Sequence, residues 1–333
     1  MRYGYGTGRD ERPGSPDAQA QAQTAERFGW DHITWADHSL RNRDPFVGVA
    51  LWAAATERIR VGTGVTHFAT RSPVGLAIAA ATIQESSGGR MVLGLGTGMS
   101  GPRSVGGKPS TLSALREAIE VIKQLTSGGK ATWQGAEVEF AWPVQPVHVY
   151  AAAMGPRTQQ VVAEVGDGVM VNTAEPALVE NALRNVAAGA ERAGRPAGEV
   201  DLWLRTMVAL DDDRARARKA ATWYAATIAH DFAKTNLLRD TPEAEEVKRR
   251  VPQSLQDACV ELAKTYRPGQ PVDLPDEVVD AFTIAGPVDH AIERLQALRD
   301  VGVDAVSLFN PEAEPERKLE FLERFAREVA PEL

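Results

Sequence analysis

Short apolar runs alternate with longer stretches of helical periodicity along nearly the whole chain. The short runs cover residues 2–5, 32–36, 60–65, 91–95, 147–151, 168–171, 201–210 and 304–309. Most are apolar at successive positions, as strands covered on both faces are. Between them, residues 18–28, 45–56, 73–86, 112–126, 157–165, 176–193, 288–300 and 316–328 read as helices. Asp44 before Pro45 and Ser72 before Pro73 put a capping oxygen ahead of a ring with a helical φ, which marks two of the helix starts. Eight strands each followed by a helix, with no series of hairpins, predict βαβ units. The count of eight favours a closed (β/α)8 TIM barrel over an open sheet. No internal repeat contributes to this reading, which rests on alternation and count.

Two intervals are too long for a simple βα unit. One holds a glycine-rich loop at 96–107 and, after the next helix, a hairpin pattern at 131–140 turning at Gln134-Gly135. The other, around 211–285, reads as several helices joined by Pro-rich turns, an insertion of the kind that covers an active site or makes a subunit contact. No linker divides the chain, so residues 1–333 are expected to form a single barrel domain carrying that helical insertion.

Composition narrows the function. With 37 Lys+Arg against 45 Asp+Glu, the 333-residue chain carries a net charge of −8, the wrong sign for a nucleic-acid footprint. Its 43% hydrophobic and 25% charged residues are ordinary for a globular protein. No apolar run approaches the roughly 18–20 residues of a membrane span, and the opening residues lack a secretory apolar core. A single cysteine, Cys259, excludes an internal disulfide and a multi-thiolate zinc site. The expectation is a cytoplasmic protein acting on a small molecule, without nucleic acid, membrane or metal.

In such a barrel the chemistry sits at the C-terminal ends of the strands. Asp37-His38 follows the second strand, where a histidine can handle a proton near neutrality; a helix cap and a packed imidazole are the plainer alternative. Gly96-Thr97-Gly98 with Gly101 formally matches a dinucleotide fingerprint, but Pro102 and about ten loop residues separate these glycines from the next helix. They read better as a loop whose backbone approaches a ligand, or simply as a flexible loop. Gly155-Pro156-Arg157-Thr158 leads from a strand straight into a helix. Its free N–H groups and dipole would suit an anion, an ordinary turn being the alternative. Nucleophile-elbow, P-loop and zinc-protease motifs are absent.

Taken together and in order, several stretches resemble the luciferase-like monooxygenase superfamily, and within it the F420-dependent oxidoreductase branch that includes methylenetetrahydromethanopterin reductase. They are residues 25–31, Trp35-Ala36-Asp37-His38, 54–65, 87–98, 152–156, 165–169, 284–287 and 297–304. The resemblance implies a (β/α)8 barrel holding a flavin-like ring across the strand ends. Asp37 and His38 would border the ring, with His38 in contact and handling the proton. Gly64-Val65 matches the position of a non-prolyl cis peptide that forms a bulge behind the ring. Gly96, Thr97 and Gly98 would line it, and Gly155, Pro156, Arg157 and Thr158 would hold the cofactor phosphate. Met99 stands where the family's sugar-phosphate dehydrogenase has a catalytic glutamate, which argues against sugar-phosphate oxidation. His67, Phe68, Met99 and Arg103 suggest a partly apolar substrate pocket. The family's barrels often pair, so a homodimer is implied.

The leading expectation is hydride transfer between F420 and a small organic substrate. The alternatives are an FMN-dependent monooxygenase of the same fold, inserting oxygen, and a non-catalytic flavin-binding barrel.

Overall fold

Among the described residues, eleven strands run in chain order as β1 (Arg2–Thr7), β2 (His32–Trp35), β3 (Arg60–His67), β4 (Met91–Gly96), β5 (Ala131–Trp133), β6 (Ala136–Val138), β7 (His148–Ala152), β8 (Gly168–Asn172), β9 (Asp201–Leu210), β10 (Thr283–Gly286) and β11 (Ala305–Phe309). The structure is a computed structural model describing residues 1–7, 11–98, 100–233, 249, 251–266 and 271–333. Parallel pairing in the order β1-β2-β3-β4-β7-β8-β9-β11, with β11 returning to β1, closes an eight-stranded (β/α)8 barrel. All eight expected strands are present, with ends shifted by two residues at most. The expected hairpin is β5-β6, and Gln134 and Gly135 both take positive φ, 51° and 80°, as a tight hairpin turn requires.

Helices α1 (Pro16–Arg27), α2 (Pro45–Ala55) and α3 (Pro73–Ser86) begin on Ser15, Asp44 and Ser72, whose side chains accept from helical N–H groups. Arg90 ties the lower ends of α2 and α3 to the sheet. Its guanidinium donates to the carbonyls of Ala53, Thr56, Ile59 and Ser87, and to Thr56 Oγ1.

Two details differ from the sequence reading. The glycine-rich segment is not loop throughout: Ser100–Ser104 form a short helix, α4. In addition, Thr283–Gly286 is a strand rather than part of a helical insertion, and it pairs with the upper half of β9 from Met207 to Leu210. A four-residue apolar run that follows a helix without a break carries no periodicity to distinguish it from the end of that helix. The rest of the insertion is helical where it is described, as α8 (Arg214–Ala233) and helices Gln253–Thr265 and Asp276–Phe282. These helices share their own buried cluster, which includes Cys259, whose thiol burial pushes up to about 12. Residues 234–248, 250 and 267–270 of the expected insertion lie outside the described residues.

The barrel interior is filled unevenly. Its lower half holds Val92, Tyr150, Met170, Trp203 and Ala305 in one cluster, with His32 stacked on Trp203 at 4.1 Å between ring centres. Beneath them, Asp31 pairs with Arg60 and sits 2.8 Å from His32 Nδ1, while Asp201 accepts from Tyr150 at 2.6 Å and Arg2 at 2.7 Å. Two residues further up, the inward positions are small on five strands, as Gly6, Thr34, Gly64, Gly94 and Ala152, whereas β8, β9 and β11 carry Asn172, Arg205 and Ser307 there.

Burial raises the Asp31 carboxyl, but the hydrogen bond from His32 and the charge of Arg60 outweigh it and hold the group down to about 2. A carboxyl depressed in the folded state stabilises above its unfolded value near 4, and that contribution fades as pH falls towards 2. Asp31→Asn should therefore cost about 2 kcal/mol at neutral pH. Urea unfolding followed from pH 6 to pH 2 should show the gap from wild type closing below pH 4, and a gap that stays constant would contradict this.

Candidate functional site

Five buried side-chain polar atoms have no partner among the described residues: Thr34 Oγ1, Trp35 Nε1, His67 Nδ1, Arg205 Nε and Asn310 Nδ2. All but Trp35 lie in the upper barrel or just beyond a strand's C-terminal end. Buried polar groups are nearly always satisfied, by protein, water or ligand, so this clustering marks a candidate site.

The upper end of β3 shapes one wall. Gly64-Val65 is joined by a cis peptide, at the position the resemblance implies, and the β3-β4 register shifts between Thr63 and Thr66. Gly64 cannot carry a side chain here, because a Cβ would fall 2.4 Å from Thr34 Oγ1. Arg205 reaches across from β9, the strand opposite β3 in the ring of eight, and its Nη2 donates to the Gly64 carbonyl at 2.6 Å.

The two candidate histidines have different settings. His38 is exposed on the loop after β2, where its carbonyl accepts from Arg41 and Asn42 at 2.9 Å each. His67, assigned from sequence only to the substrate pocket, is 3% exposed, with Nε2 2.9 Å from Ser39 Oγ. Burial lowers its pKa, Asp37 opposes that and Arg71 adds to it, so the ring is neutral at neutral pH. Asp37 is half-buried and accepts from Thr66 Oγ1 at 2.7 Å. The strand ends thus gather Asp37, Ser39, Thr66 and His67, with His38 at the rim.

On β4, Gly96 lies beside His67 in register. Gly98 has a φ of 74°, and a Cβ there would fall 2.6 Å from Pro102; one on Gly101 would fall 2.4 Å from His67 Nε2. These glycines let the segment wrap His67 closely, a packing role that the fingerprint pattern did not reveal. The Thr97 carbonyl accepts from Ser110 N at 2.9 Å. Phe68 is half-buried against the core and Arg103 is exposed on α4. Met99 lies outside the described residues.

After β7, helix α6 (Pro156–Val165) begins on Gly155, which provides no side-chain cap. Arg157 is exposed and Thr158 half-buried in its first turn. A Cβ on Gly155 would meet nothing within 4 Å, so the approach to these N–H groups is open. The turn is held from below by Gln159, which donates to the carbonyls of Ala153 and Met154 at 3.3 and 3.4 Å and accepts from Asn185 at 2.8 Å. Gln159, Asn185 and Arg205 had no motif to identify them; only tertiary contact shows what they do.

The insertion forms the roof. Tyr224 on α8 donates to the Arg205 carbonyl at 3.4 Å, and its ring lies 5.8 Å from that of Phe309. Among the described residues no three His, Cys, Asp or Glu side chains gather as a metal site, and no helix is long and apolar enough to cross a membrane.

Comparisons with known proteins agree with this architecture. The family described as luciferase-like monooxygenase matches residues 4–305. The 5,10-methylenetetrahydromethanopterin reductase of Archaeoglobus fulgidus is 32% identical over 316 residues, covering 93% of each chain. The F420-dependent glucose-6-phosphate dehydrogenase of Beutenbergia cavernae is 27% identical over 356 residues, covering 100% of this chain and 97% of its own. The solved structure of the coenzyme F420-dependent tetrahydromethanopterin reductase of Methanopyrus kandleri superposes with a TM-score of 0.75 at 24% identity, covering 99% of both chains.

Gly155 has a φ of −96°, which any residue can adopt. Gly155→Val should therefore leave the melting temperature within about 2 °C of wild type while its side chain blocks the helix start. Affinity for a phosphate-bearing cofactor, read by fluorescence titration, should fall at least about tenfold. Unchanged affinity would place the phosphate elsewhere.

Proposed function

Because the chain belongs to the luciferase-like monooxygenase family, we propose that it is an F420-dependent oxidoreductase moving a hydride between the deazaflavin and a small organic substrate. The observation that carries the reading is the set of unpartnered polar atoms above the glycine-lined upper barrel, beside the Gly64-Val65 bulge. F420 in particular is favoured over FMN by the relatives of similar length, whose names specify F420.

The residues present fit such a group. Gly64, Val65 and Gly96 offer a surface without bulky side chains, and Gly155 to Thr158 offer an open, uncapped helix start for a phosphate. When bound, the cofactor supplies the carbon that gives or takes the hydride, chemistry that no side chain here provides. The chain's part is to orient the ring, exclude water and handle the accompanying proton. Neutral His67, with Nδ1 unpartnered and Nε2 on Ser39, can hold or move a proton at Nδ1; the carboxyl of Asp37, fixed by Thr66, lies near it. His38 at the rim is a second group for the same task.

The substrate side is the partly apolar wall of Phe309 and Tyr224 under the roof, with Phe68 at the end of β3; the sequence has Met99 in place of a glutamate, which argues against a sugar phosphate. We also propose that two copies pair through α2 and α3. Both are apolar nearly all round, and they leave Val47 51% and Ile78 43% exposed.

Titration of the apoprotein with F420 and, separately, with FMN decides the cofactor. Tight F420 binding and weak FMN binding are expected; the reverse would make the protein an oxygen-using flavin enzyme. His38→Ala and His67→Ala should each change cofactor affinity less than about threefold. At least one should slow turnover by about a hundredfold or more, the typical contribution of a general acid or base. Full turnover in both variants would remove histidine from the proton path.

A further inference from the structure

Arg205 is the group that neither the fold nor the reading above accounts for. It is 9% exposed and stands in the upper barrel interior, its guanidinium carbon 4.9 Å from the centre of the Phe309 ring. One donor is engaged with the Gly64 carbonyl, while Nε has no partner. No carboxylate among the described residues pairs with it, and the nearest ionisable influence is the Tyr224 phenol. Arginine stays charged in such a place, and a buried cation without a counter-charge is costly to fold around. The buried ammonium of Lys318, by contrast, is matched by Glu11 at 2.6 Å. Among the described residues, Arg205 spans the interior beneath the mouth with a ring but no carboxylate to answer its charge.

A hydride brings two electrons and one proton, so its arrival adds one negative charge to whatever accepts it until a further proton follows. Resting on the F420 reading, we propose that Arg205 is a positioning residue for the cofactor ring. It fixes the Gly64 carbonyl and sets an unmatched positive charge beneath the ring, favouring the hydride-loaded state over the oxidised one. In the poorly solvated interior that charge acts over several ångströms through the Gly64 peptide. The alternative, a brace needed only for folding, makes the opposite prediction for the protein without cofactor.

The test uses Arg205→Met, which keeps the length and apolar stem, and Arg205→Lys, which keeps the charge. The apoproteins are melted, oxidised and reduced F420 are titrated anaerobically by fluorescence, and the midpoint potential of the bound cofactor is measured. For Arg205→Met the apoprotein should melt at the wild-type temperature or higher, since replacing buried ionic groups by apolar ones is commonly neutral or stabilising. Reduced F420 should bind about tenfold more weakly relative to oxidised F420, which moves the bound midpoint about 30 mV more negative for a two-electron couple. Arg205→Lys should recover most of the potential. A lower melting temperature in the Met apoprotein, or equal losses of oxidised and reduced affinity, would overturn the role of Arg205 while leaving the cofactor reading intact. Failure of the wild-type chain to bind F420 would overturn the cofactor reading and the Arg205 role with it.

Discussion

Closing eight parallel strands fixes the volume inside them, and where that volume is filled decides where chemistry can occur. Here Trp203, His32, Tyr150 and Met170 occupy the lower half; above them β2 and β7 carry the small Thr34 and Ala152, while β8 and β9 carry Asn172 and Arg205. A uniformly packed interior would leave only the loops to make a site. Because small residues stand on five of the eight strands towards the C-terminal ends, rigid backbone such as Gly64-Val65 is brought to the surface that the proposed function assigns to the ligand.

The same division sorts the charges. At the lower end carboxylates and cations are matched, as in Asp31 with Arg60 and Asp201 with Arg2, and their job is to hold the ring of strands shut. At the upper end Arg205, His67 and Thr34 keep capacity in reserve. That contrast separates structural polar groups from functional ones better than residue type does, since both ends contain a buried histidine. His32 is held by Asp31 and Ser307, whereas His67 keeps Nδ1 unengaged.

Much of this was legible in the sequence. Strand count, the capped helix starts and the β5-β6 turn followed from local chemistry, because apolar runs, Ser/Asp-Pro pairs and Gln-Gly act over a few residues. The ordered motifs were legible as a resemblance, and the structure gives some of them reasons: Arg90 ties two helices to the sheet, and Glu26 accepts from the backbone N–H groups of Glu57, Arg58 and Ile59. What stayed hidden depends on the closed ring. Arg205 and Gly64 are 141 positions apart and meet only because β9 and β3 stand opposite each other. His67 looked like one more pocket residue until Gly98 and Gly101 were seen folded over it. Strand β10 could not be read because only its partner, the upper half of β9, distinguishes it from a helix end.

The roof has its own buried cluster, which meets the barrel mainly through Met207, Ala209, Ala285 and the rings of Tyr224 and Phe309. It joins by β10 to one strand only. On the proposed function, changes in the roof away from Tyr224, which holds the Arg205 carbonyl, would leave the strand bed in place. Substrate choice and cofactor choice would then be nearly separable, and this region is where a library of variants would change what the proposed enzyme accepts without changing what powers it.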